Sequence, residues 1–474
     1  MYRVPLRLRN ASLARHVGGA GPKKHSLTQK REFLPFVAAG VAVVVGMTVF
    51  QYFARAAARM KEEQALKAEM EYSEEDTAEM AVLGLDLGST YSKISYWKHG
   101  GEEGKESEVS VLENKEGRRA VASSIIWEEG EAEPRAGHLA RAARFHKPDS
   151  VVNAPILLFG AKYLTRQEDE TLRSQVMSSF EATHKEGNES MAITTLADEI
   201  HRTAVEKVGD GMPVVLSVPN FYTPEAQEGL MNELTESGLS AVGVISDSVC
   251  SIIGAFKTGK MKKGDLAVAG GAITAVVIDC GGRLTQLSLL HVEETDLNEL
   301  GVKVTSLSER TLFEVGGDFA DDAIVSHLAK EFENEHGVDL LVDGQAKQRL
   351  YDAAETLKKD LTKAKMASVN VPFVTATTSG PLHLDKHVTK AALDGMMAEQ
   401  TAALKIGLKA LLFEDSKVAK APLTTILLAG AGSRMSFVKA LAKDVSGGID
   451  TLTVREPESL AAIGAAASVL HFES

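Results

Sequence analysis

The chain has 474 residues, a formal net charge of −13, 44% hydrophobic and 25% charged residues, and two cysteines. The length permits more than one domain, the acidic balance without a long basic stripe in the body excludes general nucleic-acid binding, and two cysteines exclude a disulfide framework. Cys250 and Cys280 both lie in apolar runs and are expected to be buried thiols.

The average hides a polarised N-terminus. Residues 1–31 contain Arg3, Arg7, Arg9, Arg15, Lys23, Lys24, Lys30 and Arg31 and no acid, so 1–32 reads as a basic targeting segment. Residues 33–53 (FLPFVAAGVAVVVGMTVFQYF) are uncharged. At 1.5 Å per residue such a run crosses about 30 Å of hydrocarbon, so a single transmembrane helix is expected there. Aromatic side chains flank it, as at membrane interfaces. The run is too long and too far from the N-terminus for a cleaved secretory signal and reads as a retained anchor. The Arg-rich, acid-free leader favours the mitochondrial inner membrane; a signal anchor in the endoplasmic reticulum membrane is the alternative. Residues 54–80 lack Gly and Pro and read as a helical stalk that turns acidic at Glu74-Glu75-Asp76.

The body begins at residue 81 and alternates short apolar strands with helical stretches, the pattern of an α/β domain. Its first element, Val82-Leu83-Gly84-Leu85-Asp86, runs into Leu87-Gly88-Ser89-Thr90 and returns as Tyr91-Ser92-Lys93-Ile94-Ser95-Tyr96. This hairpin tip carries bare N–H groups, two hydroxyls and one carboxylate, which suits a phosphate chain and hydrated Mg²⁺. Further on, Pro213-Val214-Val215-Leu216-Ser217-Val218-Pro219 reads as one buried strand, and Thr223-Pro224 opens a helix with Thr223 as its cap. Val242-Gly243-Val244-Ile245-Ser246-Asp247 reads as a strand ending in an acid. Ala275-Val276-Val277-Ile278-Asp279-Cys280-Gly281-Gly282 then repeats the opening logic about 190 residues later, with Thr285–Leu290 returning as a strand. Thr424–Ala429 leads into a third small-residue turn, Gly430-Ala431-Gly432-Ser433-Arg434. Two Asp-Gly hairpins of one pattern imply an internal duplication, and three such turns imply a shared cleft.

With these turns in place the sequence resembles the nucleotide-binding domain of the 70-kDa heat-shock chaperones over residues 81–474. Asn114-Lys115-Glu116-Gly117-Arg118-Arg119, Val218-Pro219, Val315-Gly316-Gly317 and Pro457–Ala466 fall in the family's order. The resemblance implies a duplicated two-lobe actin-like ATPase fold. Lobe I spans 81–265, lobe II 266–455, and a terminal helix in 456–474 returns to lobe I. It also implies Mg-ATP or Mg-ADP as cofactor. Asp86 and Asp279 would hold the metal through water, with Asp247 as a third catalytic acid. Gly88, Ser89, Thr90, Tyr91, Gly281, Gly282, Gly316 and Gly317 would cradle the phosphates. The nucleoside would lie between Gly430, Gly432, Ser433 and Arg434 and a helix bearing Glu355, Lys358, Lys359 and Thr362, which share one face at i, i+3, i+4, i+7.

Several family positions are altered. The catalytic lysine falls on Ile156. In the second hairpin the family's third glycine, threonine and acid fall on Arg283, Leu284 and Gln286. Its catalytic glutamate falls on Asp247, one methylene shorter. Phosphoryl transfer relies on positioning and charge, so these losses should suppress hydrolysis more than binding. Arg283 either replaces the missing cation or occupies the phosphate site. Because Leu470–Ser474 follow the terminal helix closely, no peptide-binding domain is expected. The leading expectation is a membrane-anchored ATP-binding module with weak or no hydrolysis. It would assist folding or translocation through protein partners: a chaperone, a co-chaperone or translocation machinery. Two alternatives stand beside it. One is an active ATPase with Asp247 positioning water; the other is a nucleotide-free adaptor or exchange factor for another chaperone.

Overall fold

Runs of alternating or fully apolar residues set the architecture. The computed structural model describes residues 81–98, 108–114, 116–131, 133–165, 170–178, 189–296, 300–419, 421–445 and 447–468. The expected leader 1–32, anchor 33–53, stalk 54–80 and the last residues of the 456–474 segment lie outside the described residues. Among the described residues no helix is long and apolar enough to cross a membrane.

Two large sheets share one plan. The first contains β1 (Ala81–Asp86), β2 (Tyr91–Lys98), β3 (Glu108–Val111), β4 (Val214–Val218) and β5 (Ala241–Ser246) in the order β3-β2-β1-β4-β5, with Val121–Ala122 added to β2. The second contains β6 (Ala272–Cys280), β7 (Thr285–Glu294), β8 (Val302–Leu312), β9 (Leu423–Ala429) and β10 (Asp450–Thr453) in the order β8-β7-β6-β9-β10. In each sheet the first three strands pair antiparallel and the last two run parallel to the first. Central parallel strands are covered on both faces, which is why β4 (VVLSV) is buried at every position.

Four helices position the cleft. They are α1 (Asp247–Lys257), α2 (Gly317–His336), α3 (Gly344–Leu361) and α4 (Leu460–Ala467). Helix α1 follows the first sheet in sequence, yet its Ile252, Ile253 and Ala255 pack with Ile273, Ala275 and Val277 of the second. Helix α4 follows the second sheet, yet Ala461, Ala465 and Ala466 pack on Val82, Trp97 and Val215 of the first. The two helices meet backbone to backbone: a side chain at Gly464 would stand 1.7 Å from the Cys250 carbonyl oxygen. The same helix presses on β1, where a side chain at Gly84 would stand 2.2 Å from the Ala462 carbonyl oxygen.

Two local expectations change. Asp247 does not end a strand; β5 stops at Ser246 and Asp247 is the first residue of α1, because the backbone turns helical once the strand clears the sheet. Thr362 lies just past α3 as its C-cap, its hydroxyl donating to the Lys359 carbonyl oxygen at 2.7 Å. Thr223 caps its helix as expected, accepting from the Ala226 N–H at 3.2 Å. Both cysteines are free and buried. Burial pushes the Cys280 thiol up to about 12, so it stays protonated at neutral pH.

Candidate functional site

Each Asp-Gly hairpin delivers its carboxylate to the same level. Asp86 ends β1 opposite Lys93 of β2 and beside Ser217 of β4; Asp279 stands in β6 opposite Gln286 of β7 and beside Ala429 of β9. The offset from acid to cross-strand partner is thus the same in both hairpins. Asp86 and Asp279 both line one cavity of about 800 Å³ enclosed by the two sheets. That is within the range of pockets holding nucleotide-sized ligands.

The expected site residues gather there, with two exceptions. Gly88, Ser89, Thr90, Tyr91, Asp247, Gly281, Gly282, Gly317, Glu355, Lys358, Lys359, Thr362, Gly430, Gly432 and Arg434 all line the cavity. Gly316 and Ser433 do not. Gly316 packs behind the second hairpin against the Gly282 carbonyl, and Ser433 is buried, its hydroxyl spent on the Gly430 carbonyl oxygen at 2.7 Å. Neither outcome was open to sequence, since turn residues alternate between facing the ligand and holding the turn.

The first hairpin tip is engaged by the second lobe. Thr90 Oγ1 donates to Asp318 Oδ2 at 3.0 Å, Tyr91 OH donates to Glu355 Oε1 at 2.8 Å, and the Arg283 backbone N–H donates to Ser89 Oγ at 3.3 Å. The tips touch, for a side chain at Gly282 would lie 1.8 Å from Thr90 Oγ1. Arg141 completes the cluster, donating from Nη2 to Glu355 Oε2 at 3.2 Å with its guanidinium 5.0 Å from the Tyr91 ring centroid. Burial alone would raise the Glu355 carboxyl. Arg141, Lys359 and the Tyr91 hydroxyl outweigh it and hold the group down at about 2.

The three acids have the opposite environment. Burial, reinforced by repulsion from Asp247 at both and from Asp86 at Asp279, raises Asp86 and Asp279 above the usual carboxylate range, and Lys93 opposes the rise at both. Burial also raises Asp247, against hydrogen bonds from Ser217 (2.6 Å to Oδ1) and Gln286 Nε2 (2.8 Å to Oδ2). Asp247 is therefore gripped on both oxygens. The carboxylates of Asp86 and Asp279 make no hydrogen bond or ion pair among the described residues. Two hard oxygen donors facing a cavity, desolvated and without a bound proton donor, suit a hydrated divalent cation.

The altered positions have clear fates. Ile156 is fully buried in the first lobe's core, and its carbonyl accepts from Tyr222 OH at 2.6 Å. Leu284 lines the cavity with an apolar side chain. Arg283 is not among the lining residues; its Nε lies 3.5 Å from Asp318 Oδ2. Lys93, Asp318, Arg141 and Glu456 were assigned no role by the sequence reading. Only Lys93 carried a usable signal, two residues beyond Tyr91 on the same strand face. At the rim, Arg119 pairs with Glu456 at 2.7 Å and Arg434 with Glu458 at 2.8 Å.

Comparison with known proteins agrees with this arrangement. Among the similar proteins are the chaperone protein DnaK of two strains of Halobacterium salinarum, each 28% identical over 386 residues, covering 81% of this chain and 55% of the relative. The chain thus spans about half the length of the curated relatives it matches. The sequence model of the Hsp70 protein matches residues 82–471, nearly all of the body with its two sheets and shared cavity, and the chain belongs to the Hsp70 family.

Proposed function

We propose that the chain is an Hsp70-type module that binds Mg-ATP and Mg-ADP, hydrolyses ATP weakly or not at all, and acts through protein partners. The observation that carries this is the contrast inside one cavity. The hydroxyl-bearing first hairpin and the α3 wall face the 800 Å³ space. The groups that would drive hydrolysis are replaced, since Ile156 is core, Leu284 is apolar, and Gln286 with Ser217 grips Asp247. In this reading Asp86 and Asp279 hold the hydrated metal, and Gly88 to Tyr91 with Gly281, Gly282 and Gly317 hold the phosphates. Glu355, Lys358, Lys359, Thr362, Gly430, Gly432 and Arg434 hold the nucleoside. The metal supplies positive charge beside the phosphates; the chain's own groups position and desolvate them.

We propose further that residues 33–53 tether the module to a membrane, the mitochondrial inner membrane in preference to the endoplasmic reticulum. Its partners are then a chaperone, a co-chaperone or translocation machinery. Calorimetric titration of the full chain with Mg-ATP and Mg-ADP, with single-turnover hydrolysis alongside, tests the nucleotide part. Micromolar or tighter binding with background turnover is expected. Turnover that falls in an Asp247→Asn protein would instead support an active ATPase. A nucleotide-free adaptor is favoured by one observation, that Thr90, Tyr91 and Glu355 are bonded to protein groups across the cleft. Thermal protection by ATP would refute it.

A further inference from the structure

A polyphosphate set among Asp86, Asp247 and Asp279 needs cations, and burial makes that need severe. The positions where the family motifs would offer them are empty or committed. Ile156 is apolar and buried. Arg283 is paired with Asp318. Lys358 donates to Asp321 Oδ2 and the Gly317 carbonyl, both at 2.7 Å, and Lys359 donates to Glu355 at 2.8 Å. Lys93 differs from all of these. It lines the cavity, stands opposite Asp86 across the hairpin, and its side chain forms no hydrogen bond or ion pair among the described residues.

The pleat fixes its depth. Tyr91, Lys93 and Ser95 share one face of β2, because side chains alternate with period two. Tyr91 reaches Glu355 on the α3 wall, and Ser95, fully buried beneath the cavity, donates to the Ala462 carbonyl oxygen of α4 at 2.6 Å. Ser92 and Ile94, on the other face, are buried in lobe I. Lys93 therefore stands between the α3 wall and the buried end of the strand, opposite Asp86 and in the same cavity as the three acids. Its charge acts on both Asp86 and Asp279, the two carboxylates at the hairpin bases. The duplicated position, Gln286, instead reaches Asp247.

We propose that Lys93 is the cation that faces the nucleotide's phosphate chain, supplied from the first hairpin in place of the charge lost at Ile156. The inference rests on the reading of the cleft as a nucleotide site. It places the ammonium on a rigid, hydrogen-bonded strand beside the metal-holding acid. The charge then favours binding of di- and triphosphates without supplying the geometry that the family's lysine gives to the attacking water.

The test compares titrations of the full chain and its Lys93→Gln and Lys93→Arg forms with Mg-ATP, Mg-ADP and adenosine. Lys93→Gln should weaken Mg-ATP by about 10- to 100-fold, the worth of a charged hydrogen bond, and leave adenosine unchanged. Lys93→Arg should recover most of the loss. Equal weakening of ATP and adenosine would assign Lys93 a structural role and overturn the proposal, as would unchanged ATP affinity in Lys93→Gln. A wild-type chain that binds adenosine and ATP equally also overturns it. A chain that binds neither removes the nucleotide reading as well. Amine acylation footprinting of the wild-type protein by mass spectrometry is independent of variant folding. ATP should shield Lys93 and adenosine should not; labelling unchanged by ATP would sink the assignment.

Discussion

The two Asp-Gly hairpins are copies in backbone and opposites in chemistry. Each sets an aspartate opposite a residue seven positions on and hangs its sheet in the same order. The first tip presents Ser89, Thr90, Tyr91 and Lys93 to the cavity; the second presents Gly281, Gly282, Leu284 and Gln286. Strand pairing is enforced by buried cores on both sides, so the frame accommodates different loop side chains at the two tips. In the proposed reading, binding would then rest mainly on the first hairpin and hydrolysis on the second, so that one could be lost without the other.

The largest expected effect is on affinity. Replacing Ser89 and Thr90 together by alanine should weaken Mg-ATP by about tenfold or more, because the Ser89 hydroxyl, and the Thr90 hydroxyl once it leaves Asp318, would donate to the charged ligand. Replacing Arg283 and Leu284 by alanine should leave the affinity nearly unchanged. Titration calorimetry decides, and similar losses in both pairs would break the contrast between the hairpins.

Stability gives a second discrimination at equivalent glycines. A side chain at Gly88 would lie 2.3 Å from the Tyr91 carbonyl oxygen, whereas one at Gly281 would lie 3.2 Å from the Leu284 carbonyl oxygen. Gly88→Ala should cost about 2–3 kcal/mol by overpacking and Gly281→Ala under about 1 kcal/mol, read from denaturant midpoints.

Smaller effects separate the acids by the sign of their pH dependence. Asp279 is raised by burial and by its acidic neighbours, so its ionised form destabilises the ligand-free fold above its folded pKa. Asp279→Asn should therefore raise the melting temperature at pH 8 by about 2–4 °C for roughly 1 kcal/mol, with the gain shrinking as pH falls. Glu355 behaves the other way, being lowered from 4.5 to about 2. Its contribution is complete above about pH 4.5 and is lost as pH falls towards 2. The stability gap between wild type and Glu355→Gln should close across that interval, followed by denaturant midpoints at successive pH values.

The sequence made the hairpins legible because each is local: an apolar strand, an acid, glycines and a returning strand within fifteen residues or so. Ile156 was legible as a loss, and its side chain is buried in the core and contributes nothing to the cavity lining. What sequence did not reveal depends on distant pairing. Tyr91 and Glu355 are 264 residues apart, and Thr90 and Asp318 are 228 apart. No local pattern announces which hydroxyls a closed cleft has already claimed. Arg283 was read as a replacement cation or an occupant of the phosphate site. Asp318 lies beside it and draws the guanidinium aside, with the charge attraction of Arg141, Arg283 and Lys358 holding Asp318 ionised against its burial. Gln286 reads as a lost acid in sequence, but in space it is a clamp on Asp247, and only the cross-sheet geometry reveals the exchange.

The crossing of α1 and α4 has a mechanical consequence. Because Gly464 and Cys250 touch through bare backbone, the joint has no compliant side-chain padding that could let the halves slide. Such a contact opposes sliding and leaves rotation about that point as the freer motion, as in a pair of tongs. A small tilt at such a fulcrum would be magnified at the hairpin tips, where Thr90 and Gly282 meet. Any protein that levers the rim apart would thus set the residence time of the cargo without touching the groups that grip it.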